Sequence, residues 1–129
     1  MRRVFLVLVL CLFQVSPGWS EPLLGLWLTA PDRKGQVAHI HATPCGVALC
    51  GTILRTFDRQ GNPVTTPNLG KRVFWDMQPT APGRYEGRGW LPLKNMQFDG
   101  QMHLQGNKLT VRGCIGPLCQ SQTWTRVPG

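Results

Sequence analysis

Four of the five cysteines fall into two pairs of identical spacing, Cys45-x4-Cys50 and Cys114-x4-Cys119. Paired thiols can hold a metal, attack as nucleophiles or oxidise to disulfides. Zinc sites usually use a C-x2-C spacing, and a nucleophile needs a free thiolate. In an oxidising compartment an even count reads instead as a disulfide framework. Of the three connectivities, the two local bridges are favoured. Pro44-Cys45-Gly46 and Cys114-Ile115-Gly116-Pro117 place turn residues inside each tight loop. Each short loop should contribute about 2 kcal/mol by chain entropy.

The other reactive side chains are scattered. On a strand, His39 and His41 share a face and could take a metal together with His103. Ile40 is the better core residue, however, which leaves both imidazoles toward solvent, and no carboxylate stands at ligand spacing. Asp58-Arg59-Gln60-Gly61-Asn62 has the outline of a calcium loop but lacks a third acidic ligand and the closing Glu, and reads as a turn. The carboxylates Glu21, Asp32, Asp58, Asp76, Glu86 and Asp99 occur singly, with no spacing that suggests an acid/base pair. Ser121, His103 and Asp99 could make a triad, yet no nucleophile elbow surrounds Ser121. The expectation is a protein that is not an enzyme and carries no metal or cofactor.

The elements that position these residues must fit into 129 residues, enough for one domain. With 15 Gly and 11 Pro and no G-X-Y period, the chain is turn-rich rather than collagenous. Five Trp and five Phe give it apolar mass to bury, unlike a disordered chain. Met1-Arg2-Arg3, an apolar run from Val4 to Val15 broken only by Gln14, and small residues at Gly18 and Ser20 make a secretory signal peptide over residues 1–20. That run is too short to span a bilayer, so no stable membrane insertion is expected. Leu10 before Cys11 argues against a lipoprotein cut. The mature domain is then residues 21–129, exported to the periplasm, without Cys11. Loss of Arg2 and Arg3 lowers the formal charge from +8 to +6. Basic residues stand mostly singly, with Arg33-Lys34 and Lys71-Arg72 as doublets, which does not suit nucleic acid.

Alternating and β-branched segments cut by Gly, Pro or Asn predict strands at 23–29, 36–42, 48–56, 71–77, 84–93, 96–105, 108–113 and 122–127. Gly106-Asn107 is a tight hairpin turn and Pro31-Asp32-Arg33-Lys34-Gly35 a longer one. Residues 58–70, with Gly61, Pro63, Pro67 and Gly70, form either an ordered surface loop or a lid. No internal repeat is evident beyond the cysteine spacing. About eight short strands point to an all-β fold, a small antiparallel up-and-down barrel or a sandwich.

Gly25-Leu26-Trp27 near the start and Thr123-Trp124-Thr125-Arg126 near the end resemble the calycin superfamily of lipocalins, avidins and relatives. There a GxW tryptophan closes one end of the barrel and a late arginine covers its ring. The resemblance gives those roles to Trp27 and Arg126, with Gly25 and Trp124 completing the signature. Over 22–127 the chain also resembles the domain-of-unknown-function family number 2147, small exported bacterial proteins with a lipocalin-like barrel. The matching stretches are Gly25-Leu26-Trp27, Leu49-Cys50-Gly51-Thr52-Ile53, Leu109-Thr110-Val111-Arg112-Gly113-Cys114 and Ser121-Gln122-Thr123-Trp124-Thr125-Arg126-Val127. The family's Asp-Pro-x-Asn-Gly-Lys-x-Tyr segment is reduced here to Pro92, Asn95 and Phe98, with Leu91 for the Asp and Met96 for the Gly. The resemblance implies fold and export and assigns no activity.

An eight-strand barrel either encloses one small ligand or fills with its own side chains. The expected function is binding of a small apolar ligand, with Phe74, Trp90, Leu93, Phe98, Met102 and Leu104 as its lining. The alternative is a protein-binding module, such as an envelope enzyme inhibitor, built on two disulfide-pinned loops.

Overall fold

The computed structural model describes residues 21–128; the signal-peptide reading of residues 1–20 lies outside them. The strands are β1 (Gly25–Leu28), β2 (Val37–Cys45), β3 (Ala48–Phe57), β4 (Pro63–Val64), β5 (Arg72–Ala81), β6 (Arg84–Leu91), β7 (Met96–Gln105), β8 (Lys108–Ile115) and β9 (Leu118–Arg126). A 3₁₀ turn, Pro92–Lys94, separates β6 from β7. All pairings are antiparallel in the order β2-β1-β9-β8-β7-β6-β5-β3, and β2 also pairs with β3. That last ladder closes eight strands into a barrel, with β4 as a two-residue spur on β3.

Two strand ends differ from the sequence expectation by more than three residues, and a short strand is added. Residues 58–70 contain β4, where Pro63 and Val64 pair with Phe57 and Thr56. β5 runs past the expected end at Met77 to Ala81. It does so through a bulge: Trp75 pairs with Arg88 but Gln78 with Glu86, and the extra residue, Asp76, takes a left-handed φ of 51°. The bulge resets the alternation and turns Met77 into the core. Gly87 lies opposite, where a Cβ would stand 2.7 Å from the carbonyl oxygens of Trp75 and Asp76. β9 begins at Leu118 rather than near Gln122, because β8 and β9 stay paired up to Ile115 and Leu118 around the Gly116-Pro117 turn.

The alternation that buries Trp27, Ile40, Met102, Leu109 and Trp124 gives the barrel its inner face. At one end, called here the closed end, the lumen is filled by Trp27, Met77, Tyr85, Met102 and Leu109, with Leu23 laid across it. The chain runs from this end along β1, β3, β6 and β8 and returns along the others. Both disulfides are local, Cys45–Cys50 at the β2–β3 turn and Cys114–Cys119 at the β8–β9 turn. The first therefore pins the closed end and the second the opposite, open end.

Candidate functional site

Trp27 is fully buried and donates its indole N–H to the Leu23 carbonyl at 2.9 Å. The Arg126 guanidinium lies over the ring, 4.3 Å from its centroid, and donates to the carbonyls of Leu24 and Pro22. Tyr85 donates its hydroxyl to the Glu21 carboxylate. Burial first, and that carboxylate second, hold the phenol above its ordinary pKa. The indole of Trp27 and the hydroxyl of Tyr85, both removed from water here, are thereby matched, and the end is sealed.

The open half is hollow. A cavity of about 540 Å³ rises from a floor made by Ile40, Ile53, Val111 and Trp124. Its walls include Trp90, Leu91 and Phe98, and its mouth Thr29, Asp32, Lys34, Gln36, Thr65 and Asn68. Trp124 divides the two halves. Its ring stands 6.3 Å from that of Phe74, and its N–H donates to Gln122 Oε1 at 2.8 Å. Trp90 is held at the mouth by a hydrogen bond to Asn95 Oδ1 (2.9 Å) and by Lys71 Nζ, 5.6 Å from the ring centroid.

The lumen stays open here because the large inward side chains lie against glycines. A Cβ on Gly51 would overlap the Phe74 ring, and one on Gly89 or Gly113 would overlap or crowd the ring of Phe98. The rings thus lie flat on the wall instead of projecting across it.

The mouth is framed by two loops with the same sequence pattern, Asp32-Arg33-Lys34-Gly35-Gln36 and Asp58-Arg59-Gln60-Gly61-Asn62. This is an internal repeat that the sequence reading did not register, and the two copies fold alike. Asp32 Oδ1 accepts from the Lys34 and Gln36 amides at 2.8 and 2.9 Å, and Asp58 Oδ1 from the Gln60 and Asn62 amides at 3.0 and 2.8 Å. Gly35 and Gly61 take φ of 75° and 83°, which L side chains rarely adopt. The loops also touch: a Cβ on Gly35 would stand 2.6 Å from Arg59 Nε. Residues 65–68 form a further wall, tied to β3 by the β4 pairing and by the Gly70 amide on the Ile53 carbonyl at 2.8 Å.

Of the six lining residues expected from the sequence, Trp90, Leu93 and Phe98 reach the cavity. Phe74 and Met102 do not; both are packed in the core, as Leu104 is against it. Height along the axis separates Met102 and Leu104 from the lining: Met102 pairs with Tyr85 and Leu104 with Leu109, deep in the closed half. Ile40, Ile53, Val111 and the two Asp loops were missed. The repeated D-R-x-G pattern was the available signal for the loops. The two disulfide hairpins, expected to offer one rigid surface, lie at opposite ends and cannot form it together.

The scattered reactive residues stay apart. β8 separates Ser121 on β9 from Asp99 and His103 on β7, and Asp99 pairs instead with Arg88. β2 keeps its alternation, with Ile40 and Ala42 buried and His39 and His41 on the other face; the bulge in the ladder falls on β3, where Leu54 is the extra residue between the His39↔Arg55 and Ile40↔Ile53 pairs. His41 remains exposed, while His39 is half-buried against Phe57 with centroids 4.9 Å apart. Its Nδ1 is buried without a hydrogen-bond partner, and burial, then the Arg55 charge, lowers its pKa below 6.5. His103 lies across the barrel on β7. Among the described residues no helix is long and apolar enough to cross a membrane.

No curated protein matches the chain. Among solved structures it is similar to "Protein HP1028 from the human pathogen Helicobacter pylori belongs to the lipocalin family", at 12% identity and a TM-score of 0.68, covering 84% of this chain and 85% of that one. At that identity the likeness shows the fold, a lipocalin-like barrel. The family model "Uncharacterized protein conserved in bacteria (DUF2147)" matches residues 25–126, the whole of the barrel, and the chain belongs to that family.

Proposed function

We propose that this protein is an exported, non-enzymatic binding protein of the periplasm that takes a small, largely apolar molecule into the open half of its barrel. The observation that carries the reading is the cavity: about 540 Å³, apolar at its floor and polar at its mouth. That volume falls within the roughly 300–1,000 Å³ of small-molecule sites, and the distribution of polarity is theirs too. The glycines that keep Phe98 flat supply a second support. A barrel meant only to be stable gains nothing from an empty half, since unfilled volume costs packing. Two local disulfides suit the oxidising compartment that export implies.

The test is titration with an uncharged naphthylamine fluorophore, read by energy transfer from Trp90 and Trp124. One equivalent should bind saturably. Val111→Phe, which fills the floor, should weaken binding about tenfold or more while the melting temperature stays within a few degrees. Absence of saturable binding, or unchanged affinity in a folded Val111→Phe, overturns the reading. Export is tested separately: protein recovered from the periplasmic fraction should begin at Glu21.

A further inference from the structure

We propose that the rim of the open end docks on an anionic phospholipid surface, with the cavity mouth facing the bilayer. The proposal goes beyond ligand uptake and does not depend on it. Four aliphatic side chains project from one side of this rim: Leu93 on the 3₁₀ turn, Met96 at the start of β7, and Ile115 and Leu118 at the tip of the β8–β9 hairpin. Leu118 is 77% exposed at the hairpin tip, and Leu93 is 57% exposed although it borders the cavity. β7 and β8 are neighbours, and the Asp99↔Cys114 pairing sets Met96 beside the hairpin tip, so the four stand together. The Cys114–Cys119 bridge fixes the tip, which lowers the entropy lost on insertion.

Charge selects the partner. Around the same mouth stand the exposed cations Arg33, Lys34, Arg59, Lys71 and Lys94. The acids of the mouth loops, Asp32 and Asp58, each accept two backbone amides within their own turns. The other end offers no such combination. Its exposed cations Arg84 and Lys108 begin β6 and β8 beside hairpin turns whose exposed large apolar side chain is Val47 alone. A cluster of aliphatic side chains ringed by cations fits a surface that is anionic outside and hydrocarbon within. Docked this way, an apolar molecule could move between bilayer and cavity without crossing water.

The test is co-sedimentation of the oxidised protein with phosphatidylcholine vesicles, with and without phosphatidylglycerol. Binding should require phosphatidylglycerol and weaken with salt. Leu118→Glu should lower partitioning about tenfold or more, and Lys94→Gln about fivefold. Val47→Glu is the control. Val47 is 99% exposed but sits at the closed end, so its replacement should change nothing. All three side chains are exposed, and an unchanged melting temperature shows that each variant folds. Failure to bind either vesicle, equal binding to both, or equal loss in Val47→Glu and Leu118→Glu overturns the proposal. Vesicle binding lost with fluorophore uptake intact counts against docking alone; the reverse result counts against the ligand reading alone.

Discussion

The two halves of the barrel are built by the same eight strands and the same hydrogen-bonded ladders, yet one is solid and the other hollow. In the closed half, inward positions carry Trp27, Met77, Tyr85, Met102 and Leu109, which meet across the axis. In the open half, large residues alternate with glycine on neighbouring strands. Phe98 rests over Gly89 and Gly113, while Phe74, over Gly51, packs into the core below the cavity. The difference lies in where each ring is parked. Flat on the wall, an aromatic side chain buries its area without consuming the lumen. Stability and capacity are thus separated along the axis, the first carried by the closed half and the second by the open one.

That division can be broken most forcefully at its base. Trp27→Ala should cost about 3–5 kcal/mol, because it removes a fully buried indole and the ring under Arg126. Thermal denaturation checks it: a melting point within a degree or two of the parent would mean that the closed end does not anchor the fold. Next come the disulfides. Replacing Cys45 and Cys50 by Ser, or Cys114 and Cys119 by Ser, should each cost about 2 kcal/mol, since both loops have the same sequence separation of 5. Denaturant melts of the two double variants compare the ends directly, and a several-fold inequality would show that native-state packing, not loop entropy, sets their worth.

Smaller effects sharpen the open half. Asp32→Ala and Asp58→Ala each remove the acceptor of two amide hydrogen bonds in equivalent turns. Each should cost about 1–2 kcal/mol, and the two should be alike in chemical denaturation. The smallest effect concerns His39. Its pKa is lowered in the folded protein, so between that value and 6.5 the unfolded chain binds more protons. Stability therefore declines slightly as pH falls from 7 through 6.5 toward the lowered folded-state value, and His39→Gln should remove that part of the slope. An unchanged slope in the variant would show that the half-buried imidazole titrates as it does when unfolded.

Much of this fold was legible before the structure. β7 occupies Met96–Gln105 at the expected bounds, and most other strands lie within two or three residues of theirs. Turn residues and period-two patterning are local signals, and these strands obey them. β5 outruns its expected end at Met77 because the Asp76 bulge resets the alternation there, and the irregular ladder beyond it accommodates Pro79. The site was half legible for a different reason. Alternation says which side chains point inward, but not at what height. Height comes from the pairing of strands distant in sequence, so Met102 and Phe98 look equivalent until β6 and β8 are set beside them. The glycines were visible as residues, but their purpose appears only when a neighbouring strand lays a ring across them.

The ladder that joins β1 to β9 pairs Trp27 with Arg126 and Leu28 with Thr125, residues nearly the whole chain apart. During synthesis, β9 is the last strand to emerge, and until then both β1 and β8 present unpaired edges. A ribosome-borne or translocating chain cannot close its wall early. Closure, the seating of Trp27 under Arg126 and the completion of the cavity floor by Trp124 must come as one late event. Folding of such a chain should be slow, as its high proportion of distant contacts requires. A truncation that stops short of β9 should leave a sheet with two sticky margins rather than a weakened barrel.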